Sequence, residues 1–392
     1  MRGELCVLLG LLGCGDEEPE PVKSLPPLEP TTPSATGPYG VGVTTMHVDD
    51  GRGVGRSLPI EIWYPASITA SDPVTRYPVV IGELVLAEIE SPLGAVRDAP
   101  LDRHGAPHPV IVFSHGYGGT RVQSVYLTEY LATHGFVVAA PDHTGNTFAE
   151  VFTDTNLPAV DLARLRPSDV SRTLDVLLER SARFPDDPLG YAADERRVGV
   201  AGHSFGGFTA LRIAGATIDV EAATAVCADN PAEFFCEGWP GDEPLPSSQR
   251  DDRFLAALPQ APGGTRAFVL NHGVNDVAVP TMIQAGTIDT TTPFDEEAQP
   301  VFEDLPPPAY LLAIKGAGHF TFSDICALMQ QLMLEVAEFE DGCSDQNIPW
   351  AEAHRIIDWL GTAFALKYVA LDETFASELD AMLPASATMS AK

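Results

Sequence analysis

Short apolar runs alternate with segments of helical spacing through most of the chain. Residues 42–47 and 60–64 read as two early strands, the second stopped by Pro65. Residues 109–113 and 136–140 are unbroken apolar runs, the pattern of strands buried on both faces. Between them, 122–134 has helical spacing and ends at Gly135. Residues 168–179 repeat that spacing through Val170, Leu174, Leu177 and Leu178. A strand over 198–201 runs into a Gly-His-Ser turn, and a helix follows over 205–214. Residues 224–227, 267–270 and 310–313 predict three more strands, and 350–368 a C-terminal helix. Strand alternating with helix implies an α/β class with a mostly parallel sheet, here eight-stranded, and helices on both faces. Two irregular stretches, 66–107 and 229–265, interrupt the alternation, and loops of that length often shape a binding site.

The ends carry a different pattern. Met1-Arg2 is a short positive start, 5–12 is apolar, and Leu11-Leu12-Gly13-Cys14 resembles the cleavage site of a bacterial lipoprotein signal. The apolar stretch is well short of the roughly 20 residues that a membrane-spanning helix needs. It fits a removable signal over 1–13, with Cys14 as the lipidated mature N-terminus. Residues 14–38 are rich in Pro and Glu and predict an extended tether. The domain then occupies 39–371, and 372–392 is small and polar, a loosely ordered tail. This organisation places the protein outside the cytoplasm, lipid-anchored at the cell envelope or else secreted, with no other contact with a membrane.

Composition narrows the function. The formal net charge is −32, and no basic run of five or more residues occurs. Nucleic-acid binding needs a positive footprint, so that class is excluded. Of six cysteines, Cys6 and Cys14 fall in the leader. Cys227, Cys236, Cys326 and Cys343 remain, an even set that suggests two disulfides in an exported protein. Pairing of neighbours is the simplest connectivity. A zinc site is the competing reading, but neither spacing matches Cys-x-x-Cys, so no metal is expected.

The strongest chemical signal is Gly202-His203-Ser204-Phe205-Gly206, which follows a strand and opens a helix. That is the context of a nucleophile elbow, where a serine is strained at the top of an α/β-hydrolase sheet. Ser204 is the candidate nucleophile, and the helix behind it aims its first amides at developing negative charge. Acyl transfer needs a second amide donor, and Phe113-Ser114-His115-Gly116-Tyr117-Gly118-Gly119 lies where that fold supplies one. The backbone N–H groups of Tyr117 and Phe205 are assigned to the oxyanion. His319, in Gly316-Ala317-Gly318-His319-Phe320 after the last strand, is the candidate base. For the acid, Asp276 follows the strand read at 267–270 and a Gly turn, and Asp229 after 224–227 is its rival. His143, His203 and His272 read as local hydrogen-bonding groups, and Asp324 as a cap or surface residue.

The elbow, Phe113-Ser114-His115-Gly116, His134-Gly135-Phe136-Val137-Val138-Ala139-Ala140-Pro141-Asp142-His143 and Gly318-His319-Phe320-Thr321-Phe322 together resemble the predicted dienelactone-hydrolase-like group. That group is close to platelet-activating-factor acetylhydrolases and bacterial polyester hydrolases, and the likeness covers roughly residues 40–370. Dienelactone hydrolases proper use a Cys nucleophile where this chain has Ser204. The resemblance implies a Ser-His-Asp hydrolase of carboxylic esters, small or polymeric, without metal or other cofactor; a monomer is expected. Its acetylhydrolase branch would favour Asp229 as the acid, and its polyester-hydrolase branch Asp276. A non-catalytic binding protein, or a peptidase or thioesterase on the same triad, are the alternatives.

Overall fold

The computed structural model describes residues 25–49, 56–241, 243–269, 272–333 and 337–392. Two antiparallel strands open the domain, β1 (Gly40–Asp49) and β2 (Ser57–Ala66), in register from Gly40 opposite Ala66 to Asp49 opposite Ser57. A hairpin of β3 (Arg76–Ile81) and β4 (Leu84–Glu90) and a short β5 (Val96–Arg97) fill the first irregular stretch. The parallel centre is β6 (His108–Ser114), β7 (Val137–Pro141), β8 (Ala193–His203), β9 (Phe254–Gln260), β10 (Thr281–Gly286) and β11 (Ala309–Ile314). The last strand, β12 (Ala387–Ala391), returns antiparallel along β11. These make one ten-stranded sheet in the order β12-β11-β10-β9-β8-β6-β7-β2-β1-β5, with β3 and β4 apart.

The helices are α1 (Val125–Thr133), α2 (Phe148–Phe152), α3 (Ala159–Ser181), α4 (Phe205–Ala214), α5 (Val220–Asp229), α6 (Arg266–Val269), α7 (Ala298–Asp304), α8 (Ile325–Leu332), α9 (Glu340–Cys343) and α10 (Trp350–Tyr368). Strand β6 shows why they divide between two faces. Its successive side chains alternate, so Val110 and Val112 join one buried cluster with Val170, Leu174, Leu177 of α3 and Phe208, Leu211 of α4. Ile111 and Phe113 join another with Val125 and Leu131 of α1 and Ile357, Leu360, Phe364 of α10. A sheet buried on both faces favours apolar strands, which is why β6, β7 and β8 are legible as apolar runs.

The structure departs from the expectation at several places. The sheet has ten strands, because β12 and β5 extend it at its two edges. Residues 224–227 and 267–269 are not strands: the first lie in α5 and the second in α6, and residue 270 falls outside the described residues. In α5 the Asp219 side chain accepts from Ala222 N–H, a helix cap, and Ala223 and Cys227 form its buried face. The strands that take those places in the sheet are β9 and β10. The segment after Asp372, expected to be loose, supplies β12. Residues 25–38, expected as tether, lie against the domain: Leu25 bridges to His104, and Gly37 N–H donates to Thr133 Oγ1. Residues 1–24, with Cys14, fall outside the described residues.

Both expected disulfides form, Cys227–Cys236 and Cys326–Cys343, which removes the zinc reading of these four residues. Disulfides persist in oxidising compartments, and they fit an exported protein. No helix among the described residues is long and apolar enough to cross a membrane.

Candidate active site

Ser204 joins β8 to α4 with φ 57° and ψ −121°, a conformation that non-glycine residues rarely adopt. Such strain costs about 1–3 kcal/mol and persists only where the surroundings impose it. Here the imposition is visible. Ser204 N–H donates to the Gln260 carbonyl at 2.9 Å, and its own carbonyl accepts from Gly207 and Phe208 at 2.8 and 3.1 Å. Glycine is required at both flanks. A Cβ on Gly206 would lie 1.9 Å from the Ser114 carbonyl oxygen, and one on Gly202 would lie 2.4 Å from that of Gly206.

His319 begins a short 3-10 turn after β11, with its side chain buried. Its Nδ1 faces Asp289 Oδ2 at 2.9 Å, with Thr292 Oγ1 at 3.0 Å. Asp289 Oδ1 accepts the N–H groups of Thr291 and Thr292, which fixes the carboxylate. Asp289 therefore occupies the position expected for the acid, three residues past the end of β10. Asp276 does not: it is exposed and accepts from Thr217 Oγ1 at 2.7 Å. Asp229 is exposed at the end of α5. The sequence logic of strand, turn and acid holds, but the strand is β10, whose Thr-Met-Ile-Gln-Ala-Gly has too many polar positions to stand out.

Two further residues were missed. Thr292 ties the site together: its hydroxyl reaches Asp289 Oδ2 at 2.9 Å and the Ala261 carbonyl at 3.2 Å. Its methyl would lie 2.5 Å from a Cβ on Gly263, and that same Cβ would be 3.7 Å from Ser204 Oγ. The acid loop thus packs against the serine loop with room only for glycine between them. Asp341 links acid and histidine from the other side. Its Oδ1 accepts His319 N–H at 3.0 Å, and its Oδ2 accepts the Thr290 and Thr291 N–H groups at 3.0 and 2.8 Å. Burial alone would raise its pKa, but these hydrogen bonds outweigh burial and hold it below the ordinary value. Only local loop geometry makes Thr292 and Asp341 matter, and no sequence pattern reports that.

The loop after β6 lies beside the serine, since a Cβ on Gly116 would be 3.3 Å from Ser204 Cβ. Gln123 Oε1 accepts Gly116 N–H at 2.9 Å, while its Nε2 donates to His203 Nδ1 at 2.9 Å. His203 Nε2–H can then donate to the His319 carbonyl at 3.0 Å. Burial, then the neighbouring His319, keeps the pKa of His203 well below the ordinary value. It is a neutral brace between the three loops, in keeping with a hydrogen-bonding role.

Gly116 C=O is held by His115 Nδ1 at 2.7 Å and by Gly119 N–H at 3.1 Å. A trans peptide sets Tyr117 N–H opposite that carbonyl. Phe205 N–H is the first of α4, and the first amides of a helix have no partner within it. Of the assigned oxyanion donors, Tyr117 therefore lies on a loop beside Ser204 and Phe205 on the first turn of α4 directly after it. Their side chains meet as well: the Tyr117 ring stands 6.4 Å from Phe205 and 5.4 Å from Phe234, and Phe205 is 5.3 Å from Phe234. Among the described residues no group of three or more His, Cys, Asp or Glu side chains is arranged to hold a metal.

Residues 74–161 match the family model "Platelet-activating factor acetylhydrolase, isoform II". A cutinase from Thermobifida alba is 28% identical over 221 residues, 56% of this chain and 55% of that protein. Cutinase 2 of Thermobifida cellulosilytica is also 28% identical, with 63% of its length covered. The platelet-activating factor acetylhydrolase of Cavia porcellus is 24% identical over 228 residues, 46% of this chain and 52% of that one. The chain resembles the acetylhydrolases and the cutinases alike. It spans a little over half the length of most of the relatives it matches, and the fold is that of an α/β hydrolase.

Proposed function

We propose that the protein hydrolyses carboxylic esters through an acyl-enzyme on Ser204. His319 takes the serine proton and returns it to the leaving group, while Asp289 holds the imidazole with its proton on Nδ1. The amides of Tyr117 and Phe205 receive the oxyanion. One observation carries this reading: a serine forced to positive φ at a strand–helix junction, in one braced cluster with a buried His–Asp pair. The names of the relatives, cutinase and acetylhydrolase, support an ester as substrate. The aromatic group of Tyr117, Phe205 and Phe234 suits an apolar acyl chain.

The test is hydrolysis of p-nitrophenyl esters from acetate to decanoate by the full chain, beside Ser204→Ala. Turnover that disappears in the variant supports the proposal, and the chain-length profile sizes the acyl site. A folded protein that turns over no ester, or a Ser204→Ala variant that keeps full activity, refutes it. We propose further that the mature protein begins at a lipidated Cys14. A processed protein that partitions into detergent is expected, and a soluble one with unmodified Cys14 would refute that part.

A further inference from the structure

Behind the loop after β6 lies a buried polar chain that the mechanism above leaves unused. Arg56 pairs with Asp169 through both guanidinium ends, at 2.5 and 2.7 Å. Asp169 Oδ2 faces His143 Nδ1 at 2.9 Å, and His143 Nε2 faces Ser114 Oγ at 2.9 Å. Arg166 on α3 reaches Ser114 Oγ at 3.3 Å and Asn146 Oδ1 at 3.2 Å, and also donates to the His115 carbonyl. The direction of each bond follows from chemistry. An ionised Asp169 only accepts, so His143 carries its proton on Nδ1. Its Nε2 then accepts the Ser114 hydroxyl, whose oxygen accepts from Arg166. His143 N–H donates to His115 Nε2 at 3.0 Å, so His115 keeps its proton on Nδ1, the atom that holds Gly116 C=O.

Arg166, like Arg212, has a fully buried side chain that bonds to neutral acceptors. The carboxylate that acts on its charge, Asp169, is itself held by Arg56 and His143. Among the described residues Arg166 has no direct carboxylate partner, which is costly for a buried cation, and its placement calls for a reason. Its guanidinium carbon lies 5.0 Å from the centre of the Phe205 ring. It therefore touches Phe205 through the ring, and the loop that bears Tyr117 through the His115 carbonyl. Burial lowers its pKa to about 9, so it keeps its charge at neutral pH. Burial, then the Arg166 charge, holds both His115 and His143 well below the ordinary imidazole value.

We infer that Arg166 is a positioning residue for the oxyanion site, fixing the loop that bears Tyr117 and the start of α4, with its charge set behind both amides. The inference rests on the ester-hydrolase reading. A fixed positive charge in a water-poor region stabilises an oxyanion more than a neutral substrate carbonyl. It acts on the transition state and hardly on substrate binding. Neither His115 nor His143 competes, since both stay neutral.

The experiment measures kcat and KM for p-nitrophenyl butyrate, with thermal melting, for the wild type, Ser204→Ala, Arg166→Met and Arg166→Lys. Arg166→Met is expected to lose about 10- to 100-fold in kcat, less than the loss of an oxyanion donor itself. KM should stay within about twofold, the pattern of an interaction made in the transition state. Arg166→Lys keeps the charge at pH 6.5 but titrates, because burial lowers a lysine pKa. Its kcat should fall as pH rises from about 6.5 to about 8, a range over which Arg166 of the wild type keeps its charge. The groups facing position 166 are His115 after β6, His143 and Asn146 after β7, Asp169 on α3 and Arg56 before β2, and they are the same in both proteins. A folded Arg166→Met with wild-type kcat overturns the inference. So does an Arg166→Lys profile that superimposes on the wild type, and that profile decides the matter if the methionine variant does not fold. A wild type whose turnover is absent or survives Ser204→Ala overturns the ester-hydrolase reading instead.

Discussion

Asp289→Asn replaces one carboxylate oxygen by an amide nitrogen at a site where His319 Nδ1 is 2.9 Å away. Both side chains are nearly inaccessible, His319 at 3% and Asp289 at 1%. Oδ1 is committed to the Thr291 and Thr292 amides at 3.0 and 2.6 Å, so the substituted NH2 must face the imidazole. Donor then meets donor, and the ring moves its proton to Nε2, the atom that has to accept from Ser204. The charge is lost as well. A carboxylate about 4 Å from the imidazolium charge, at an effective dielectric of about 20, contributes about 4 kcal/mol. At about 1.4 kcal/mol per tenfold, that is roughly 10³ in rate. The wrong tautomer adds to it, and kcat should fall by about 10³ to 10⁴. KM should stay within about threefold, because Asp289 does not touch the substrate. Initial rates on p-nitrophenyl butyrate, with Asp276→Asn and Asp229→Asn alongside, measure this. An Asp289→Asn variant with more than about a tenth of wild-type kcat would refute the reasoning, as would a loss of about 10³ in Asp276→Asn.

Two other outcomes follow from the same structure. Replacing Cys326 and Cys343 by Ser frees the segment that carries Asp341, two residues from Cys343. A loop of this size is worth about 3 kcal/mol, and kcat should fall along with the melting temperature because Asp341 braces the His319 backbone; a lower melting temperature at unchanged kcat would disprove the coupling. Glu129, buried beneath Tyr77, Ser91 and Leu93, has its pKa raised by burial from 4.5 to about 7. Between those values the folded state binds the proton and the unfolded chain does not, so this contribution to stability is complete below pH 4.5 and is lost as pH rises to about 7. Glu129→Gln should flatten the decline of melting temperature from pH 5 to pH 8, and an unchanged slope would count against the assignment.

The chain discloses the centre of its sheet more readily than the edges. Strands β6, β7 and β8 are buried on both faces and carry unbroken apolar runs, and α4 and α10 begin and end where their spacing predicts. Ser204 and His319 are legible because they stand in glycine-rich turns directly after such strands. Asp289 is not, because it depends on recognising β10. Gln284 is buried there with its Nε2 bonded to the Ile357 carbonyl at 3.2 Å, a tertiary contact that lets a polar residue sit in a central strand. Likewise β9 ends in Leu-Pro-Gln, and Gln260 Nε2 donates to Gln284 Oε1 across the sheet at 2.8 Å. Because β9 and β10 carry polar residues, the apolar runs at 224–227 and 267–270 mimic strands in the sequence, and the expected acid moves with them. The polar chain from Arg56 to Arg166 is invisible for a similar reason, since its members come from separate elements and meet only in the fold.

The most direct test of the central claim is to find the nucleophile chemically. The full chain is treated with a fluorophosphonate ester, which carries no acyl-chain requirement, and the modified peptide is located by mass spectrometry. A single adduct on Ser204, formed in step with loss of ester hydrolysis and absent after Ser204→Ala, is the expected result. Hydrolysis that continues in fully labelled protein, or an adduct on any other residue, would contradict the account.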